Sequence, residues 1–192
     1  CGEVVMPLTR GAFCSLAACL RHEGLCDEAG IPYVGPATVF CSHAWAFELD
    51  VSLDTLEAYA AGQPCPEQVY FWFDLFTNDQ HGAPALPQLW WKTTFQQAIE
   101  TIGATLLVLS PWRDPRPLTR AWCLWELLCT VRCGSKLVPL LPPEEVASFQ
   151  EALNGDFSSI IAALSNVDVH RAEAWRAADK AMIHGAVEAT VG

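Results

Sequence analysis

An α/β fold, built on a parallel sheet with helices on both faces, is predicted by three features of the sequence. Short apolar runs recur along the chain: ATVFCS (37–42), VYFWFDLF (69–76), TLLVLS (105–110) and KLVPLL (136–141). Each is continuous rather than alternating, as a strand buried on both faces requires. Between them lie segments with apolar residues at helical spacing, and glycine and proline mark the boundaries. The 192 residues suit one domain with a core of ordinary size.

Taken in order, residues 1–35 read as a helical extension, with a helix from near Gly11 to Gly24. Gly30, Pro32, Gly35 and Pro36 separate it from the main domain, residues 36–192. The first strand (37–42) ends in the loop Ser42-His43-Ala44-Trp45. Phe47, Val51, Leu53, Leu56 and Tyr59 then fit a helix closed by Gly62 and Pro64. The second strand (69–76) delivers Asp74 near its carboxyl end and opens into TNDQHGAPALPQ (77–88), a loop long enough to serve as a flap. A helix over 92–102 sets Phe95, Ala98, Ile99 and Ile102 on one side, and the third strand (105–110) ends at Ser110. The helix TRAWCLWELL (119–128), a strand over 136–141, a helix from Pro143 to about Leu153, a short fifth strand over 166–174 and a last helix from Trp175 to Glu188 complete the chain.

Five strands with a helix after each predict a flavodoxin-like three-layer sandwich of strand order 2-1-3-4-5, preceded by the helical extension. Ligands are expected at the carboxyl ends of the strands near the switch point. His43, Trp45, Asp74, Asn78, Ser110, Trp122 and Glu126 all fall at that edge.

Composition narrows the function classes. Hydrophobic residues make up 52% and charged residues 17%, with a formal net charge of -11, so the chain is globular and acidic. That balance argues against nucleic-acid or anionic-membrane partners. No uninterrupted apolar run is long enough for a transmembrane helix, and no signal peptide is recognised at the start. A chain that opens on Cys1 reads as a piece of a longer protein. The nine cysteines are scattered and form no Cys-x-x-Cys, so they read as reduced thiols of a cytoplasmic protein. Cys14, Cys19, His22 and Cys26 lie close together, but their spacing fits no common zinc pattern, and no metal is assigned.

Chemistry concentrates in TRAWCLWELL. Nearly every position is apolar or a helix former, which predicts a helix buried almost all round. Glu126 sits in its middle and needs a partner, a wet cleft or a raised pKa. Trp122, four residues earlier, shares its helical face. The plainer alternative is that Glu126 pairs with Arg120 or Arg132 at the helix surface.

These landmarks resemble the TIR (Toll/interleukin-1 receptor) domain family: FCSHAW (40–45), FWFDLF (71–76), LVLS (107–110) and, most specifically, RAWCLWEL (120–127), which is similar to the form in plant TIR domains. The resemblance covers roughly residues 37–190. YFWFDLFTNDQH also resembles a run in fungal heterokaryon-incompatibility domains. The resemblance implies an enzyme that cleaves the nicotinamide–ribose bond of NAD+, giving nicotinamide and ADP-ribose or a cyclic isomer, in immune or cell-death signalling. Glu126 would be catalytic, and Ser42, His43, Trp45, Phe47, Asp74, Asn78, Ser110 and Trp122 would bind substrate. NAD+ enters as substrate rather than cofactor, and the family implies homotypic self-association. One carboxylate suffices for this chemistry, because the leaving group is already cationic and the developing oxocarbenium charge needs an anion beside it. Asp74 is expected to anchor the flap by accepting backbone N–H groups.

The sequence departs from the family after Ser42, where plant TIR domains carry Phe-Arg-Gly and this chain has His43, Ala44 and Trp45. A basic phosphate clamp is missing from that loop, and no Gly-rich phosphate loop replaces it. The alternatives are a non-catalytic TIR-like homotypic interaction module and a flavodoxin-like nucleoside transferase or hydrolase using the same glutamate.

Overall fold

The computed structural model describes residues 3–45, 47–165, 167–174 and 176–191. In chain order the elements are α1 (Val5–Thr9), α2 (Leu16–Glu23), β1 (Val39–Ser42), α3 (Leu49–Ala61), β2 (Phe71–Trp72), α4 (Asp74–Thr77), α5 (Gln88–Ile102), β3 (Ala104–Val108), α6 (Ala121–Arg132), β4 (Lys136–Leu140), α7 (Pro143–Gly155), α8 (Phe157–Ser165) and α9 (Ala177–Val191). All strand pairs are parallel, and the sheet order is β2-β1-β3-β4.

The parallel α/β architecture is therefore present with four strands, and the fifth expected over 166–174 is not formed among the described residues. That segment carries Asp168, His170, Arg171 and Glu173, too polar for a strand buried on both faces. It makes a single parallel bridge, Arg120 to Glu173, outside the sheet. Pro139 lies within β4, opposite Leu107 of β3. A proline lacks one ladder donor, which suits β4 to the edge of the sheet.

Successive residues of the strands point to opposite faces and build two cores. Phe40 and Leu107 pack against Phe95 and Ile99 of α5, Leu124, Trp125 and Cys129 of α6, and Ile183 of α9. Val39, Cys41 and Leu106 face the other way, onto Leu56 of α3, Phe73 and Leu75, and Val5 of α1. The N-terminal extension thus shares a core with the sheet.

Several boundaries differ from expectation for local reasons. The first predicted helix begins at Leu16, where the Ser15 hydroxyl accepts the Ala18 N–H, and ends at Gly24, whose φ of 64° gives a left-handed cap. The second strand stops at Trp72. From Phe73 the chain turns helical, its carbonyl accepting both the Thr77 N–H (3.0 Å) and the Thr77 hydroxyl (3.0 Å). Asp74 therefore opens α4 rather than ending a strand. The additional helix α8 starts after Asp156, which accepts the Ser158 hydroxyl and the Ser159 N–H. Trp175, the expected start of the last helix, and Asn166 lie outside the described residues.

Candidate functional site

The middle of α6 is tied to the sheet by hydroxyls. Thr130 donates to the carbonyl oxygen of Glu126 (2.8 Å) and lies 2.9 Å from the Thr105 hydroxyl of β3. This places Glu126 beside the carboxyl end of β1. There the Ser42 hydroxyl, fully buried, donates to Glu126 Oε2 at 2.5 Å. Among the described residues Glu126 forms no ion pair, so the expected alternative with Arg120 or Arg132 is not realised.

Glu126 is 7% exposed, and burial drives its pKa from 4.5 to about 8. The Ser42 hydrogen bond opposes that rise, the Asp74 charge adds to it, and the Arg120 charge opposes it. The thiols of Cys41 and Cys123, on either side, are likewise pushed well above 9.0 by burial. Burial thus favours the neutral form of all three groups, Glu126, Cys41 and Cys123, in a cavity whose lining also includes Asp74, Arg120, Arg176 and Asp179.

Glu126 and Trp122 line one cavity of about 700 Å³. Trp122 packs edge-on to Phe95, ring centroids 5.5 Å apart, and its indole N–H reaches Asp179 Oδ2 at 3.2 Å. The other oxygen of Asp179 accepts from Gln88 Nε2 at 2.7 Å, so α5, α6 and α9 meet at one buried carboxylate. Arg120 and Arg176 are also among the residues lining this cavity.

The loop after β1 and the flap supply further lining residues. A carboxylate only accepts, so His43 Nε2–H donates to Asp74 Oδ1 (2.9 Å) and Trp45 Nε1–H to Asp74 Oδ2 (2.7 Å). His43 is stacked on Phe73 at 4.2 Å, and its carbonyl accepts from Cys123 Sγ. The Asp74 carboxylate therefore braces the β1 loop and does not accept the flap's backbone N–H groups as expected. Asp79 has that role, accepting the N–H groups of His81 and Gly82. The flap folds inward, so that Asn78, Gln80 and Ala83 line the cavity.

Of the residues singled out in the sequence, Glu126, Trp122, His43, Trp45, Asp74 and Asn78 come together around this cavity. Ser42 stands behind it, reaching it only through Glu126. Phe47 and Ser110 are not among its lining residues. The Ser110 hydroxyl is engaged by Glu145 of α7, which also accepts the Trp112 N–H at 2.6 Å. Sequence reasoning missed Arg176, just before α9, and Asp179 on it, the Gln88 contact, and the cavity position of Arg120. Trp91 and Phe95 of α5 also face the cavity, and the helical periodicity of α5 was the signal that could have placed them.

No cluster of three or more metal-ligating side chains occurs among the described residues, and none of their helices is long and apolar enough to cross a membrane. No protein-family model, curated protein or solved structure matches the chain.

Proposed function

We propose that the chain is a TIR-like NAD+ nucleosidase whose reaction takes place in the cavity at Glu126. The observation that carries the reading is the pairing, on one face of α6, of a buried carboxyl and an indole that line the same cavity. In this reading NAD+ and water give nicotinamide, ADP-ribose and a proton. The C1′–N bond breaks with its electron pair going to the nicotinamide nitrogen. Water then adds at C1′ and releases its proton.

Glu126 supplies the negative charge that stabilises the ribosyl cation as it forms. The positive nicotinamide ring lowers the Glu126 pKa on binding, because an opposite charge favours the ionised form. Trp122 offers a face for stacking, held in place by Asp179. Ser42 fixes the carboxyl and keeps its pKa from rising further.

The test is nicotinamide release at high protein concentration, comparing the wild type with Glu126→Ala after both are shown to fold. Release by the wild type alone supports the reading. Equal rates in the two proteins, or no release even when the chain is clustered on a surface, would sink it.

A second reading, a homotypic interaction module, is favoured by α8. Phe157, Ile161 and Leu164 recur at i, i+4 and i+7, and each is about half exposed. Ile161→Asp abolishes concentration-dependent self-association under this reading, whereas Glu126→Ala leaves it intact.

A further inference from the structure

Cys14 and Cys19 of the N-terminal extension are brought together by the way α2 begins. Ser15 is the N-cap, its hydroxyl accepting the Ala18 N–H at 3.1 Å and its carbonyl accepting the Cys19 N–H at 3.1 Å. Cys14 therefore occupies the position before the cap, and Cys19 the fourth position of the helix. Side chains at those two positions meet across a helix start, where a pair of apolar residues often packs. Here the pair is two thiols, and their sulfurs lie 3.1 Å apart. Among the described residues this is the one pair of cysteines whose sulfurs are hydrogen-bonded.

Both thiols are part-buried, unlike Cys41, Cys123 and Cys129, which are sealed in the core. The chain leading to Cys14 is open, since Gly11, Ala12 and Phe13 are all exposed. A small solute can thus reach Cys14 from solvent. The Cys19 thiol is held above its ordinary pKa, chiefly by its hydrogen bond with Cys14, so Cys19 keeps its proton and donates while Cys14 accepts. A disulfide, about 2.05 Å long, requires about 1 Å of further approach.

We infer that Cys14 and Cys19 form a redox-reactive dithiol, oxidised by a peroxide to an intramolecular disulfide with Cys14 as the attacking sulfur. The Cys14 thiolate attacks one peroxide oxygen, and the S–O bond forms as the O–O bond breaks. The hydroxide released takes up the proton that Cys14 gave to solvent. Cys19 Sγ then attacks the sulfenic sulfur of Cys14, the S–S bond forming as the S–O bond breaks. The second hydroxide leaves as water with the Cys19 proton. Two thiols and hydrogen peroxide thus give one disulfide and two waters, the sulfurs losing two electrons and the peroxide oxygens gaining them. Neither cysteine lines the Glu126 cavity, and the inference does not use the nucleosidase reading.

The test treats the fully reduced chain with one equivalent of hydrogen peroxide, alkylates the remaining thiols after unfolding, and maps the linkage by mass spectrometry. The dominant product leaves two of the nine cysteines unalkylated and yields a peptide linked from Cys14 to Cys19. Dithiothreitol restores the reduced mass. Cys14→Ser and Cys19→Ser each abolish the linked peptide, and in Cys19→Ser the sulfenic acid accumulates on Cys14, where dimedone traps it. Cys26→Ser is oxidised as the wild type is. In urea, where the helix start no longer holds the sulfurs together, linkage slows by about tenfold.

Linkage of either residue to Cys26, dominance of another pair or of a disulfide between two chains, or sulfinic acid at Cys14 with no linked peptide overturns the inference. So does an equal rate in urea, since spacing along the chain, and not the folded start of α2, would then account for the bond.

Discussion

Replacing Glu126 by glutamine should make the protein more stable while removing its proposed activity. Burial raises the folded-state pKa of Glu126 from 4.5 to about 8. Below 4.5 the group is protonated in both folded and unfolded chains, and its burial carries no ionisation penalty. Between 4.5 and about 8 the unfolded chain gives up the proton while the folded chain keeps it. The folded state is therefore destabilised, by about 1.4 kcal/mol for each pH unit. Across the window the loss sums to roughly 3–5 kcal/mol. Glutamine has a similar shape, can still accept from Ser42 and does not titrate.

The variant and the wild type should thus be nearly equal in stability at pH 4.5 and diverge steadily above it, the variant being more stable by a few kcal/mol at pH 8. Urea unfolding followed by tryptophan fluorescence at each pH measures the divergence, which corresponds to a midpoint shift of roughly 1–2 M. Parallel stability curves for the two proteins from pH 5 to pH 8 would refute the reasoning, since they would mean that Glu126 titrates alike in both states. A group that destabilises the fold at neutral pH is of the kind expected where function opposes stability.

Other outcomes follow from named contacts. In the wild type kcat/KM for nicotinamide release should rise with pH through about 8, the limb set by free Glu126, and the limb of kcat should lie at lower pH because the bound cation favours the carboxylate. Ser42→Ala removes the hydrogen bond that lowers the Glu126 pKa, so the kcat/KM limb should move to higher pH; a limb that stays in place counts against the coupling. Trp122→Phe keeps the ring against Phe95 but loses the N–H to Asp179, and should raise KM for NAD+ several-fold while costing about 1 kcal/mol of stability, as checked by steady-state kinetics and denaturation. Ile99→Ala, at a fully buried position of the core between α5 and the sheet, should cost about 2–5 kcal/mol in the same unfolding assay.

The fold was legible wherever apolar residues ran continuously. VFCS, ATLLV and KLVPL are the strands β1, β3 and β4; β1 and β4 lie inside segments read as strands, and β3 starts one residue before the segment read over 105–110. VYFWFDLF misled because a short apolar run fits a buried strand and a buried helix equally. Bonding at the Phe73 carbonyl, invisible in the sequence, divides it between β2 and α4. The fifth strand was read from NVDVHRAEA (166–174), although its charged residues speak against burial on both faces. Helix α8 carried a readable start signal in Asp156, followed by apolar residues at helical spacing.

At the site, Glu126 and Trp122 were legible together because a four-residue spacing on a helix is itself geometry. Asp179 and Arg176 were not, since α9 reaches the cavity only through tertiary packing on α6. Arg120 was considered only as a partner for Glu126, four apart from neither it nor Trp122, and its place at the cavity is set by the bridge to Glu173.

Asp74 gives two segments of the cavity lining, the β1 loop and the flap, a common mounting. Its carboxylate holds His43 and Trp45 from the loop after β1, while its backbone carbonyl accepts from Gln80 of the flap at 3.0 Å. The residue belongs to α4, a single turn wedged between the two. A displacement of either loop is therefore felt at the other through one short, stiff connector. The β1 loop and the flap would then move together rather than one at a time. Selection acting on Asp74 would then govern how fast the cavity fills and empties, even though the residue forms no hydrogen bond with Glu126 among the described residues.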